Sequence, residues 1–419
     1  HPIPPALRSP MPISPDSRRQ HLEWLLELTQ IPTASGREHR VTAWIDRWLA
    51  ERTGLQTRRD DHGNLEVRLA RVTPSFAPLY FTAHLDHPAF VVTRLLDPAR
   101  VELEFRGGVG DDYFTNAPVV AFTADDRRIS GTLTGLSDRP QEPLKRYLCQ
   151  LDPGPTLALG DIARWHLPPA EIAGATAATS GGAGLASPSV SCVYTDACDD
   201  LAAAAAALAA MDHLLQLADA GEPIPDVRVL FTRAEEIGFV GAIAACKSAV
   251  MPPASRIIAL ENSRSFADSP IGAGPVVRVG DRVTVFSPSL SAAVAKRCEE
   301  IGGPQPLASQ KLSEGPSWKW QRKLMAGGAC EASVFCAYAY QSTCVCLPLG
   351  NYHNMADLEA VQAGTNKSPP RAAREFIAVS DYHALVDLLI ACGQRLPEDG
   401  GFMSRIEKLW DKHQHVLTE

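Results

Sequence analysis

Two histidines and a scatter of acids are the residues of this 419-residue chain most able to do chemistry. His84 closes the apolar segment that begins at Pro78. Glu235 and Glu236 follow Val227–Phe231, Glu261 follows Ile257–Leu260, and His353 follows Cys344–Leu347. Each of those segments reads as a strand. In an open α/β sheet the ligand crevice lies outside the carboxyl ends of the strands. The four positions are therefore expected to converge, together with Asp199 and Asp200 at the start of an alanine-rich helix. His, Asp, Glu, Glu, His and one further Glu form a ligand set for two bridged divalent ions. Such a pair clamps a water and lowers its pKa. Imidazole with carboxylates suits zinc first, and also cobalt or manganese.

Each residue also has a plainer reading. Asp199-Asp200 alone would be a helix N-cap, and Glu235-Glu236 a capping pair for the next helix. In His84-Leu85-Asp86, residues two apart on an extended backbone share a face, so Asp86 can accept the second ring N–H of His84 and fix its tautomer. Adjacent carboxylates diverge, which suits one as a metal ligand and the other as general base. An unpaired Glu261 after four apolar residues would be costly to bury, and a metal would satisfy it. Singly the plain readings win; jointly the metal reading does.

The elements that must position these residues are legible in outline. A helix is expected over Ser17–Gln30, stopped by Pro32, and a second after Ser35-Gly36-Arg37-Glu38 with Val41, Trp44, Ile45, Trp48 and Leu49 at the spacing of one buried face. Short alternating segments from about Val91 to Leu167 read as an antiparallel β domain. The small-residue stretch 173–189 reads as a boundary loop, and residues up to Ser14 as a proline-rich arm. Strand–helix alternation resumes at Asp199 and ends in a helix over Asp381–Gly393. This is an α/β chain whose sheet is covered by helices on both faces. A catalytic domain is expected over 1–89 plus 190–419, and an inserted β domain over 90–189.

Composition sets the outer limits. Hydrophobic residues make up 45% and charged residues 21%, which is globular. Lys plus Arg is 40 and Asp plus Glu 48, a net of −8 that gives no general attraction to nucleic acid or an anionic membrane. No apolar run is expected to reach the roughly 20 residues of a membrane span, and no basic-then-apolar leader is seen. Ten Cys in so long a chain are too dilute for a disulfide scaffold and fit a reducing compartment, the cytoplasm. Cys344 and Cys346 are expected on opposite faces of their strand, which weakens a zinc reading of that pair.

The order His84-x-Asp86, Asp199-Asp200, Glu235-Glu236-Ile237-Gly238 with Gly241-Ala242, Glu261 and His353 resembles the co-catalytic zinc exopeptidases. Within them it is most similar to the glutamyl and tetrahedral aminopeptidases. Ser35-Gly36-x-Glu38, Gly63-Asn64-Leu65 and the 199 − 84 = 115 positions between His84 and Asp199 belong to the same resemblance. It implies a mixed sheet sandwiched by helices with an inserted small β-barrel. The implied ligands of two divalent ions are His84, Asp199, Glu236, Glu261 and His353, with Asp199 bridging. Glu235 would be the general base acting on a metal-bridging water, and Asp86 would orient His84. The implied activity is removal of N-terminal residues from short peptides by a homo-oligomer. A carboxypeptidase or amide deacylase, or a catalytically silent metal-binding assembly protein, are the alternatives. The chain departs from the pattern at His87 (usually Glu), Leu201 (usually Arg), Glu261 (usually Asp) and Gly327-Gly328-Ala329-Cys330-Glu331 (usually Gly-Gly-Thr-Asp-Ala).

Overall fold

The computed structural model describes residues 13–74, 77–175, 190–304, 318–398 and 400–417. Residues 1–12 of the expected arm and 176–189 of the expected boundary loop lie outside them. Helix α1 (Pro15–Leu28) starts with Pro15 in its first turn and with the Ser14 hydroxyl accepting from the amide of Ser17 at 3.0 Å. Helix α2 (His39–Ala50) buries Val41, Ile45 and Trp48 along one stripe. The hairpin β1 (Leu55–Arg59) and β2 (Leu65–Leu69) turns at Gly63-Asn64, and β3 (Leu79–His84) is buried along its whole length.

Strands β4 (Ala89–Asp97), β5 (Arg100–Arg106), β6 (Pro118–Phe122), β7 (Arg128–Leu136), β8 (Arg146–Leu151) and β9 (Ile162–Trp165) follow, and they close into a barrel in the order β4-β5-β8-β7-β6-β9. Closure leaves no open edge. An aromatic cluster fills the interior: Phe114 stacks on Tyr147 at 4.4 Å, and Phe90 meets Trp165 edge-on at 5.1 Å.

The chain then returns through β10 (Glu171–Ala175), β11 (Val190–Thr195) and α3 (Leu201–Asp219). After these come β12 (Val227–Thr232), α4 (Val240–Lys247), β13 (Arg256–Arg264), β14 (Val276–Gly280), α5 (Pro288–Gly302), β15 (Gln321–Leu324), α6 (Glu331–Ala337) and β16 (Gln341–Leu349). The last elements are α7 (Leu358–Gln362), β17 (Glu375–Ala378), α8 (Val379–Gln394) and α9 (Phe402–His413). One eight-stranded sheet runs β1-β2-β12-β3-β13-β16-β14-β15. Its centre, β12-β3-β13-β16, is parallel, while β2 and β14 pair antiparallel to it. Helices α1, α3, α5 and α8 cover one face and α4 and α6 the other. A separate three-stranded sheet joins β10, β11 and β17.

Helix α3 is alanine-rich because it has no solvent side: every residue from Leu201 to His213 is buried between sheet and α8. At 19 residues it is long and apolar enough to cross a membrane, which corrects the expectation that no such run exists; here 83% of its apolar window is buried in the core. Cys344 and Cys346 also correct their sequence reading. Alternate residues of a strand share a face, and both pack in the core beneath α4 and α6.

Where α1, α3 and α8 meet, three histidines are enclosed with one ion pair. His21 and His213 are buried, His383 is half-buried, and Arg18 grips Asp387 at 2.8 and 3.0 Å. Burial first, and then the Arg18 charge, push both His21 and His383 down to about 4. A histidine held neutral in the fold takes up protons on unfolding once the pH drops below 6.5, so its stabilisation is lost as pH falls from about 6.5 to about 4. We expect the unfolding free energy to drop across that window, with His21 contributing on the order of 2 kcal/mol. His21→Leu should flatten the slope. Urea titrations of both proteins from pH 7 to 4.5 check this; equal slopes would remove His21 from the account.

Candidate metal centre

The site is built at the carboxyl end of the parallel strands. On β3, Tyr80, Thr82 and His84 alternate onto the α4/α6 face, so His84 leaves the sheet with its ring on that side. Its Nδ1 lies 3.1 Å from the carbonyl oxygen of Asp86 and 3.5 Å from that residue's carboxylate. The backbone oxygen, more than the side chain expected from sequence, therefore fixes the tautomer that turns Nε2 toward the centre.

Asp86 spends its carboxylate elsewhere. It accepts from the backbone N–H of Glu235 at 2.9 Å and of Glu236 at 3.1 Å, and from the hydroxyl of Ser35 at 2.6 Å. Glu38, buried, accepts from the amide of Ala234 at 3.0 Å and from Arg233. Asn64 donates to the carbonyl of Gly241 at 3.0 Å. These bonds clamp the turn between β12 and α4 from three sides. The turn itself demands its glycines. Gly238 has φ +116°, and a Cβ on Gly241 would lie 2.3 Å from the carbonyl oxygen of Arg233. Ser35, Glu38, Asn64, Gly238 and Gly241 thus share the task of aiming Glu235 and Glu236.

Asp199 and Asp200 do not cap α3; Asp200 makes no side-chain bond to the helix and instead accepts from the amide of His84 at 3.3 Å. The two oxygens of Asp199 face different histidines: Oδ1 is 3.5 Å from Nε2 of His84, and Oδ2 is 3.5 Å from Nε2 of His353. Nε2 of His353 is also 3.4 Å from Oε2 of Glu236. Glu261 lies inside β13, opposite Cys346, rather than at the strand's end. The structure brings together every residue proposed from sequence. Ligand atoms of His84, Asp199 and Glu261 lie within 4.8 Å of one another, so do those of Asp199, Glu236 and His353, and so do those of His84, Glu235 and Glu236. Ligands about 2.1 Å from one tetrahedral ion sit about 3.4 Å apart, and that spacing recurs here. The first two of these triplets share only Asp199, and the third shares His84 with one and Glu236 with the other.

Electrostatics agree. Burial first, then neighbouring acids, push Glu235, Glu236 and Glu261 well above the usual carboxylate range. Burial also opposes ionisation of Asp199, but His353 and His84 together outweigh it and hold that carboxyl below its usual value. Oδ1 of Asp199 and Oε1 of Glu236 have no hydrogen-bond partner among the described residues. Buried, unpartnered carboxylate oxygens beside two imidazoles fit divalent cations.

Sequence reasoning missed three supports. Glu375, on β17, accepts from the amide of Asp199 at 3.0 Å and of His353 at 2.8 Å, joining Asp199 to His353. Its cue was available: an acid directly beside an apolar run, before it here and after it at Glu261. His87, which departs from the family pattern, hydrogen-bonds the carbonyl of Asp199 at 2.5 Å and Oδ1 of Asn354 at 3.0 Å. Nδ1 of His353 meets the carbonyl of Gly108, in the loop after β5, at 2.6 Å. A backbone carbonyl leaves no sequence signal. Of the divergent segment 327–331, Cys330 and Glu331 turn inward and are buried.

No protein-family model and no curated protein matches this sequence. Solved structures do. The chain is similar to an aminopeptidase from the archaeon Desulfurococcus kamchatkensis at 17% identity, covering 91% of this chain and 96% of that one, with a TM-score of 0.67. A Pyrococcus horikoshii TET1 peptidase that can assemble into a tetrahedron or a large octahedral shell matches at 21% identity, 90% and 100% coverage and TM-score 0.62. An M18-family aminopeptidase from Thermotoga maritima matches at 13%, 91% and 98%, with TM-score 0.56. The fold is one that aminopeptidases use. It is the mixed sheet with inserted barrel that the sequence resemblance implied.

We expect Glu375→Ala, which strands the amides of Asp199 and His353, to weaken zinc binding 10–100-fold, the usual weight of groups that orient ligands. Chelator-competition titration of the folded variant measures this; unchanged affinity would confine Glu375 to a packing role.

Proposed function

We propose that the protein is a two-metal aminopeptidase that removes N-terminal residues from short peptides. The observation that carries the reading is the pair of ligand triplets that share Asp199; Glu235 enters only the third triplet, with His84 and Glu236. In this reading His84, Asp199 and Glu261 hold one ion, and Asp199, Glu236 and His353 the other. Zinc is the first choice, and cobalt and manganese suit the same ligands. Bound there, two divalent ions would polarise a substrate carbonyl and acidify a water. The aminopeptidase folds among the structural neighbours support the reaction class, and the assembly of the Pyrococcus horikoshii peptidase supports a homo-oligomer.

The chain's own residues supply the rest. Oε2 of Glu235 lies 3.8 Å from Nε2 of His84. There it takes the proton of the attacking water and passes it to the leaving amine. Asp86 prevents Glu235 and Glu236 from exchanging places, because its two oxygens bind their amides separately. Glu235 is thereby kept as proton carrier and Glu236 as ligand.

Glu235→Gln keeps the shape but cannot accept a proton. It should retain both metals and lose on the order of 10²–10⁴ in turnover. Glu236→Gln should lose metal directly and recover partly in excess zinc. Metal content and cleavage of free and N-blocked peptides, measured on both, test the proposal. Cleavage of N-blocked peptides alone would replace it with an amide deacylase or carboxypeptidase. No cleavage by metal-loaded wild type would favour the silent assembly protein.

A further inference from the structure

Helix α9 has an apolar face that nothing in the described residues covers. Residues 403–417 are exposed throughout, including Met403 at 57%, Leu409 at 57% and Trp410 at 52%. The apolar positions are not scattered. Met403, Trp410 and Leu417 recur every seven residues, Leu409 and Val416 do the same beside them, and Ile406 lies between, with His413 seven residues on. Taken as a heptad, Met403, Trp410 and Leu417 occupy a, Ile406 and His413 occupy d, and Leu409 and Val416 widen the seam at g. The pattern runs from the start of α9 into the short turn that follows it, Gln414–Leu417. Among the described residues, Arg405, at the border of that face, ties α9 to Glu299 of α5 at 3.3 Å.

The flanks of the seam carry opposite charge. At 100° per residue, Arg405 and Lys412 border one side, while Glu407, Asp411 and Gln414 border the other. A membrane surface favours lysine and arginine across the polar face, and an acidic border disfavours it. A second copy is complementary in one orientation only. When two such helices lie parallel about a two-fold axis, the basic border of each faces the acidic border of the other. When they lie antiparallel, like faces like. We infer that α9 is an assembly element that pairs in parallel with α9 of a second copy of this chain. This surface is separate from the inserted barrel and does not depend on the catalytic reading.

A parallel pair sets each d residue opposite its own counterpart, close enough for a disulfide. In the full chain, His413→Cys should cross-link to itself on mild oxidation, while Lys408→Cys, on the outer side of the helix, should not. Background is low, since every native cysteine except the half-buried Cys336 is buried. Adding Arg405→Glu with Lys412→Glu makes both borders acidic, and adding Glu407→Lys with Asp411→Lys makes both basic. Each should abolish the His413→Cys cross-link alone, and mixing the two should restore it. Absent or equal cross-linking at 408 and 413 would overturn the inference, as would cross-links formed only between Ile406→Cys and His413→Cys chains, the antiparallel signature. Sedimentation with phosphatidylglycerol vesicles that requires α9, without the His413→Cys cross-link, would assign the face to lipid instead and equally overturn it.

Discussion

The rest of this structure is arranged around buried negative charge. Asp199, Asp200, Glu235, Glu261, Glu331 and Glu375 are all buried around one centre, with the side chain of Glu236 among them at 4% exposure. Two imidazoles, His84 and His353, are the facing bases. Carboxylates so placed stay protonated or find a cation. Burial accordingly drives most of them upward, Glu331 to about 7. No apolar repacking would relieve this arrangement while keeping the backbone bonds that Asp200 and Glu375 make. A divalent cation would relieve it at once, which is why the metal reading rests on the site's own chemistry.

Holding such a site requires a rigid frame, and the frame is mostly backbone N–H groups given to carboxylates. Asp86 takes the amides of Glu235 and Glu236, Glu38 that of Ala234, Asp200 that of His84, and Glu375 those of Asp199 and His353. Acids therefore act in two layers. The inner ones face the centre, and the outer ones fix the backbone that carries the inner ones. Against its burial, His84, Ser35 and the amide of Glu235 hold the Asp86 carboxyl below its usual value, while burial pushes Asp200 and Glu375 well above theirs.

This layering explains what the sequence revealed and what it concealed. The inner residues stand out because a charged residue at the end of an apolar strand conflicts with its surroundings. His84, Glu235 and Glu261 were legible for that reason, and the parallel strands were legible as short apolar runs. Asp200 was read as a cap because an acid before a helix has a sufficient local explanation; its true partner, the amide of His84, is 116 residues away. Glu375 carried the right signal but had no motif around it. The membrane-length character of α3 was overlooked because its apolarity is alanine, and only packing against both sheet and α8 shows why so many small side chains stand together.

The contact least visible in sequence joins the two parts of the chain. His353 comes late, from the loop after β16, yet its Nδ1 is met by the carbonyl of Gly108 in the barrel. Tyr113, also in the barrel region, donates its hydroxyl to the carbonyl of Ala356 at 2.7 Å, and the amide of Gly110 approaches the Met355 sulfur at 3.4 Å. Three contacts thus fall within four residues of one metal-ligand candidate. A ring whose Nδ1 is held by a carbonyl must carry its proton there, leaving Nε2 free to face the centre. The barrel is therefore part of the site's geometry: any shift of it against the sheet would move the ring of His353 relative to Asp199 and Glu236, and with it the triplet those three residues form.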